Sequence, residues 1–299
     1  MSWLGHPKYR RLCEDLAKKL RAKEYRFHKV NPVVFLCGGA DSHSRDRLAS
    51  YIRKTFPDLL VFYADDVWSA IGAAPGRNAL EMEAQLAELA DVVVIVVESP
   101  GTFAELGAFS LSDPLRKKLM PIVDRRYEFA HSFINTGPLR WIEKESDFAP
   151  TIWVPLDRIL QAALEVDKRL SLLQPKKNAR VSNLAQSSKH LLFFVCDIIA
   201  IIGPCDVPMI NALMHQVLQE NSIVDAANLV GLAKTMDLIR ELNHEGNNYY
   251  LSPLDSYGKL RCYHRNKFLD IPGMRAEAMS VLQSIEQARS VLVCAGGLA

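Results

Sequence analysis

Several features that would assign the 299-residue chain to a common protein class are missing from it. The longest apolar run, residues 191–202, contains Asp197 and falls short of the roughly 20 residues a bilayer-spanning helix needs, so it reads as a buried helix. Cysteine is sparse: Cys13, Cys37, Cys196, Cys205, Cys262 and Cys294 form no C-x-x-C pair and adjoin no histidine array, so free thiols are expected and no metal site. The net charge of +2 is close to zero, which means that any nucleic-acid partner must be held by a local patch. There is no internal repeat, and no G-x-G-x-x-G follows the first predicted strand, which argues against a redox Rossmann site. The first 20 residues hold charges without a long apolar run, unlike a secretory signal, so a cytoplasmic, non-membrane protein is expected.

The chain is long enough for two domains with cores of their own. Residues 1–30 read as a basic helix, with Leu12, Leu16 and Leu20 at helical spacing and Lys18, Lys19, Arg21 and Lys23 crowding its later half. Residues 31–160 alternate strand and helix patterns. A β-rich run at 33–36 stops at Cys37-Gly38-Gly39-Ala40 before a helix over 44–56, and strands follow at 59–63, 91–97, 119–123 and 152–155. Helix patterns at 79–89 and 103–111 lie between them. The expectation is an α/β, doubly wound parallel sheet. Residues 161–188 read as the end of a helix and a polar, basic connector holding Lys176, Lys177 and Arg180. In residues 189–299, helices at 189–202, 207–220 and 222–242 precede a hairpin formed by Tyr249-Tyr250-Leu251 and Leu260-Arg261-Cys262-Tyr263, and a last helix covers 276–293. Helices followed by a hairpin are the order of a winged helix-turn-helix.

The chemistry concentrates in residues 90–110, ADVVVIVVESPGTFAELGAFS. A buried strand ends in Glu98-Ser99-Pro100-Gly101-Thr102, and a helix follows that carries Glu105 in its first turn. Ligands of open α/β sheets bind outside the carboxyl ends of strands, where helix N-termini offer unpaired N–H groups. Glu105 therefore either meets a substrate or complements the helix dipole. Gly38, Gly39 and Gly101 would admit a phosphate or ribose close to the backbone, or serve only as turns. Asp65 and Asp66 close a strand at the same edge and suit ribose hydroxyls or an N-cap.

This stretch resembles the nucleoside deoxyribosyltransferases. Together with Phe35-Leu36-Cys37-Gly38-Gly39, Tyr63-Ala64-Asp65-Asp66 and Ser132-Phe133-Ile134-Asn135-Thr136-Gly137-Pro138-Leu139-Arg140, it looks like the deoxyribosyltransferase-like effectors of bacterial retrons, which append a winged helix. The resemblance spans nearly the whole chain. It implies that Glu105 attacks an anomeric carbon to give a covalent glycosyl-enzyme. It also implies an acidic residue on the preceding helix, Glu81 or Glu83, of which Glu83 matches by alignment. Ser99, Gly101, Thr102 and Asn135 become substrate-binding positions, and Arg140 lies in the same functional loop.

The family's loop aspartate falls near Glu98-Ser99, where this chain has no Asp. A neutral purine leaves poorly without an acid, whereas nicotinamide departs from an already cationic pyridinium, so NAD is the favoured substrate and no separate cofactor is expected. The resemblance further implies restraint by a reverse transcriptase and its RNA-linked single-stranded DNA, release during phage infection, and assembly into homo-oligomers. Lys176, Lys177 and Arg180, with Lys259, Arg261, Arg265 and Lys267 on the hairpin, are the expected partner contacts. A salvage deoxyribosyltransferase would leave the C-terminal half unexplained. A nucleotide-sensing transcriptional regulator would need a basic recognition helix, and residues 223–242 offer only Lys234 and Arg240 against Asp225, Asp237 and Glu241.

Overall fold

The computed structural model describes residues 2–65, 67, 79–219, 226–253 and 270–296. Asp66, Lys259, Arg261, Arg265, Lys267 and Cys262 lie outside the described residues. The chain divides into two compact units, one comprising Asn31–Pro175 and the other combining Met1–Val30 with Lys176–Ala299.

In chain order, the second unit opens with α1 (Pro7–Leu20) and β1 (Tyr25–Val30). The first unit then contributes β2 (Val33–Cys37), α2 (His43–Thr55), β3 (Leu60–Phe62), α3 (Ala79–Leu89), β4 (Val92–Val97), α4 (Pro100–Leu111), β5 (Leu119–Asp124), α5 (Arg140–Glu145), β6 (Ile152–Val154) and α6 (Ala163–Leu170). The chain returns to the second unit through β7 (Lys176–Val181), α7 (Ser188–Ile202), α8 (Val207–Leu218), α9 (Ala226–Thr235), β8 (Arg240–His244), β9 (Asn247–Leu251), α10 (Ile271–Gln283) and α11 (Glu286–Gly296).

Residues 31–175 form the expected α/β architecture. Five parallel strands lie in the order β3-β2-β4-β5-β6. All six residues of β4 are buried, as a parallel strand covered on both faces requires. Side chains alternate along each strand, so Val34 and Leu36 join Val92, Val94 and Val96 on the face packed by Leu48, Ala49 and Ile52 of α2. Phe35 and Cys37 point the other way. There Phe35 stacks on Phe62 at 4.9 Å between centroids and meets Phe109 of α4 at 6.5 Å. Lys118 caps the chain end of α3 by donating to the carbonyls of Ala87, Glu88 and Ala90, which ties that helix to the start of β5. The order of connection reverses between β2 and β4, and open α/β sheets have their ligand crevice at the carboxyl ends of the strands flanking such a point.

The other unit departs from the sequence reading in several places. The N-terminal helix ends at Leu20, and residues 25–30 form β1, which pairs antiparallel with β7. The stretch read as a connector is thus a strand, and its partner lies about 150 residues away, beyond the reach of any local pattern. The segment after β6 is a 3-10 turn, Leu156–Ala162, leading into the shorter α6, because Pro155 fixes an extended entry. The third helix stops at Thr235, and Arg240–Leu242 lie in β8, which pairs with β9 through the turn Glu245-Gly246. Both turn residues have positive φ, 50° and 75°, the geometry of a two-residue hairpin. Residues 260–263, the other expected hairpin strand, lie outside the described residues. The last helix is two, α10 and α11, separated at Ser284 and Ile285. At the centre is the apolar α7, buried on most of its circumference, and Gly203 ends it where a Cβ would lie 2.5 Å from the Ile199 carbonyl. Among the described residues no helix is long and apolar enough to cross a membrane.

Ile95 is fully buried in the central strand on the Phe35 face. Replacing it by Ala is expected to lower unfolding free energy by about 2–5 kcal/mol, since the rigid surrounding sheet cannot close the void. Urea denaturation checks this, and a loss below about 1 kcal/mol would mean that the site repacks freely.

Candidate active site

The crevice is framed by two loops. After β2 the chain passes through Gly38 and Gly39, and after β4 through Glu98 and Ser99. The backbone N–H of Gly39 donates to Glu98 Oε1 at 3.1 Å and ties the loops together. Ser99 is the N-cap of α4 in a capping box with Thr102, and Pro100 occupies the first turn. Thr102 Oγ1 accepts from the N–H groups of Glu98 and Ser99 and donates to the Ser99 carbonyl. Buried and fully engaged, Thr102 holds the helix start.

Because α4 begins at Pro100, Glu105 lies in its second turn and not in the first as the sequence suggested. It therefore takes no part in capping. It shares the stripe of Thr102, Leu106 and Phe109, the face that packs against the sheet, and so is carried partly out of water. Glu83 occupies the equivalent stripe of α3 with Leu86 and Ala87. Two helices thus bring one carboxyl each toward Cys37, the last residue of β2.

The electrostatics follow from this placement. Burial, then the charge of Glu83, pushes the Glu105 carboxyl up to about 7, while Cys37 and Arg45 act in the opposite direction. Burial and then Asp65 raise Glu83, and its hydrogen bond to Glu105 partly offsets them. Cys37 is raised well above a normal thiol by burial, with Glu105 adding to the effect. The charge of Glu83 thus adds to burial in favouring the protonated form of Glu105. Glu105 Oε2 is buried with no hydrogen-bond partner among the described residues. Such an atom costs stability, and active sites are where such costs are tolerated.

Arg45 forms the far wall, a residue the sequence reading did not single out. Its Nη1 donates to Asp65 Oδ2 at 2.6 Å, and its guanidinium lies 4.4 Å from the Tyr63 ring centroid. The signal was present, because Ser42 caps α2 by accepting from the Arg45 N–H and so turns Arg45 toward the β2 loop. Gly38 makes room for it: a Cβ there would lie 2.7 Å from the Arg45 stem. At Gly39 a Cβ would meet Ser99 at an ordinary 3.4 Å, and at the exposed Gly101 a Cβ would meet Ser99 Oγ at 3.8 Å. Asn135 Nδ2 donates to the carbonyls of Tyr127 and Ala130, folding the loop before the π-turn Asn135–Leu139. The structure thus gathers Glu83, Glu105, Asp65 and the Gly38 and Ser99 loops around one crevice, with Thr102 and Asn135 bound to backbone.

A family profile described as STM3845 retron effector protein matches residues 41–241, two thirds of the chain, and includes Glu83, Glu105 and Asn135. The chain belongs to this retron effector family. Two Escherichia coli relatives are similar to it. The "Retron Ec86 putative ribosyltransferase/DNA-binding protein" is 41% identical over 124 residues, and the retron Ec73 protein of otherwise identical name is 36% identical over 125 residues. The aligned stretches cover 40% and 39% of this chain, and 40% of each relative.

The Glu105 shift makes a stability prediction for the effector. A carboxyl raised from 4.5 to about 7 on folding binds its proton more tightly in the folded state, so stability falls as pH climbs through that interval. Glu105→Gln stays neutral and its amide can donate to Glu83. Above pH 7 the variant should be more stable than the parent by about 1–3 kcal/mol, the gain vanishing near pH 4.5. Thermal melts at pH 5 and pH 8 test this, and an equal shift at both would exclude the charge as its cause.

Proposed function

We propose that this effector is an N-glycosidase that cleaves NAD or a related nucleotide through a covalent glycosyl-Glu105 intermediate. The observation carrying this reading is the half-buried Glu105 carboxyl, with its unpartnered Oε2, beside Glu83 at the carboxyl edge of β2 and β4. The ionised carboxylate attacks the anomeric carbon as the C–N bond breaks and its electron pair leaves with the base. Water then attacks the same carbon, releasing the sugar and returning Glu105 to its carboxylate, with one proton lost to solvent. Two carboxyls next to the oxocarbenium-like transition state stabilise its positive charge. A cationic pyridinium in the crevice would favour the ionised pair before bond breaking. Nicotinamide leaves neutral and needs no acid, which suits a site where Glu98 is committed to the Gly39 N–H. The relatives' naming as ribosyltransferases agrees with chemistry at an anomeric carbon.

In this reading the second unit binds and restrains. The sequence α7, α8, α9, β8, β9, with Cys205 bridging to Tyr250, has the order of a winged helix-turn-helix. Lys234 is the only basic residue of α9 and is paired with Glu241, so base reading by that helix is disfavoured. Docking onto the retron's reverse transcriptase and RNA-linked DNA is assigned instead to basic residues that include Lys176, Lys177 and Arg180, all exposed on β7. Phe129 and Phe133, 93% and 80% exposed, favour a second copy as a further partner.

Glu105→Gln should reduce release of nicotinamide from NAD by several orders of magnitude, as loss of a nucleophile does, with an unchanged circular dichroism spectrum. Activity within a few-fold of the parent would remove Glu105 from the mechanism. Adenosine monophosphate and deoxynucleosides, assayed in parallel, separate this reading from nucleoside salvage.

The pH profile is a second test. The ionised form is the active one, so kcat/KM should rise with pH to a plateau above about 7. Glu83→Gln removes the neighbouring charge and should move that midpoint toward lower pH. A midpoint that does not move would mean that the two carboxyls are not coupled.

A further inference from the structure

The β1–β7 ribbon carries a pairing that a sheet does not adopt for its own stability. Its register sets Arg26 directly opposite Arg180. Like charges facing each other across a ladder are destabilising, and an isolated two-stranded ribbon has little stability to spare. A single carboxylate, Glu24, serves both, at 3.1 Å from Arg26 Nε and 4.0 Å from Arg180 Nε. Alternation turns this pair away from Tyr25 and Phe27, which pack inward on Phe194 and His190. The arginine side chains are 48% and 64% exposed.

The same end of the ribbon opens onto a cavity of about 530 Å³, whose lining includes Tyr25 at the start of β1 and Ser182 just after β7. Lys18, Arg21 and Lys23 bring positive charge to it, and Asn183 and Gln219 bring neutral donors and acceptors. Arg21 donates to the backbone carbonyl of Gln216 at 2.7 Å, which leaves its charge uncompensated by that bond, and Lys18 pairs with the exposed Asp15. Cationic side chains therefore run from the cavity onto the ribbon, and among the described residues Asp15 pairs with Lys18 and Glu24 with the two arginines.

We infer that this cavity and the Arg26–Arg180 face form a groove for a single-stranded phosphodiester chain. The charges form a track, as a polyanion requires, and are not converged on one point as for a small anion. The cavity has the volume of a nucleotide-sized ligand site, with polar groups suited to sugar and base, and a rigid duplex cannot enter it. The inference rests on the reading that this unit carries partner binding, and it specifies where a strand is held.

The test is fluorescence anisotropy of the full chain with labelled oligothymidine and oligouridine of about 20 nucleotides, and with a duplex of equal length. Saturable binding of a single strand that weakens with salt is expected, and the two oligomers show whether DNA or RNA is preferred. Lys23→Glu combined with Arg180→Glu should weaken it roughly tenfold or more, while Arg158→Glu, an equivalent change on an exposed residue of the other unit, should leave it within about twofold. Circular dichroism and NAD cleavage report whether the variants remain folded. Absence of binding, equal binding by the double variant, or tighter binding of the duplex would overturn the groove. Co-purification with the reverse transcriptase and its nucleic acid, measured alongside, separates the two claims. If that complex forms while oligonucleotides do not bind, the groove alone fails; if neither occurs, the docking reading fails with it.

Discussion

Holding two carboxyl groups together and partly out of water is the constraint around which residues 31–175 are organised. Neither Glu83 nor Glu105 would stay there by its own preference, because burial and mutual repulsion both oppose it. What keeps them in place is the burial of their helices. Glu105 is carried inward by Leu106 and Phe109, and Glu83 by Leu86 and Ala87, against strands whose residues are almost wholly inaccessible. The apolar surface on these stripes outweighs the cost of the acids lying among them. The buried acids are a local loss of stability within this unit.

The residues around the pair fall into two kinds. Asp65 and Arg45 form a charged wall whose electrostatic influence reaches Glu105. Gly38, Ser99, Thr102 and Asn135 act through the backbone: one admits the Arg45 stem, two build the helix cap, and one closes a loop. A motif shared within a family mixes both kinds, since a crevice is lost as readily when its loops shift as when its reactive group is replaced. Thr102 illustrates this, being three residues from Glu105 in sequence yet engaged in hydrogen bonds that build the helix start.

The division of the chain has a topological basis. Val30 and Lys176 face each other across the β1–β7 ladder, so residues 31–175 leave and re-enter the other unit at neighbouring points. A compact unit inserted between paired strands needs little linker and leaves the host fold continuous. The basic residues of both strands then become neighbours, although the sequence separates them by the whole of the inserted unit.

Local patterns were enough for much of the first unit. The run of β-branched residues in β4, the glycine turn after β2 and the alternation of strand and helix specify a parallel sheet, because each is a short-range preference that the tertiary fold does not oppose. Glu105, and Glu83 with Glu81 as its alternative, were picked out in the sequence by the family resemblance. Their proximity was not, since it depends on which faces of α3 and α4 meet above β2. The hairpin turn at Glu245-Gly246 was missed in the sequence, because the run leading into it continues a helical pattern and the hairpin was expected further on, between 249–251 and 260–263. The β1–β7 ribbon was not read: β7 is short, polar and basic, β1 reads as part of the preceding helix, and the two strands are each other's only partner in their sheet among the described residues. Sequence determined the elements whose cause is local, and tertiary structure alone decided the register that faces Arg26 with Arg180 and the approach of the two carboxyls, because both come from residues distant in the chain sharing one small space.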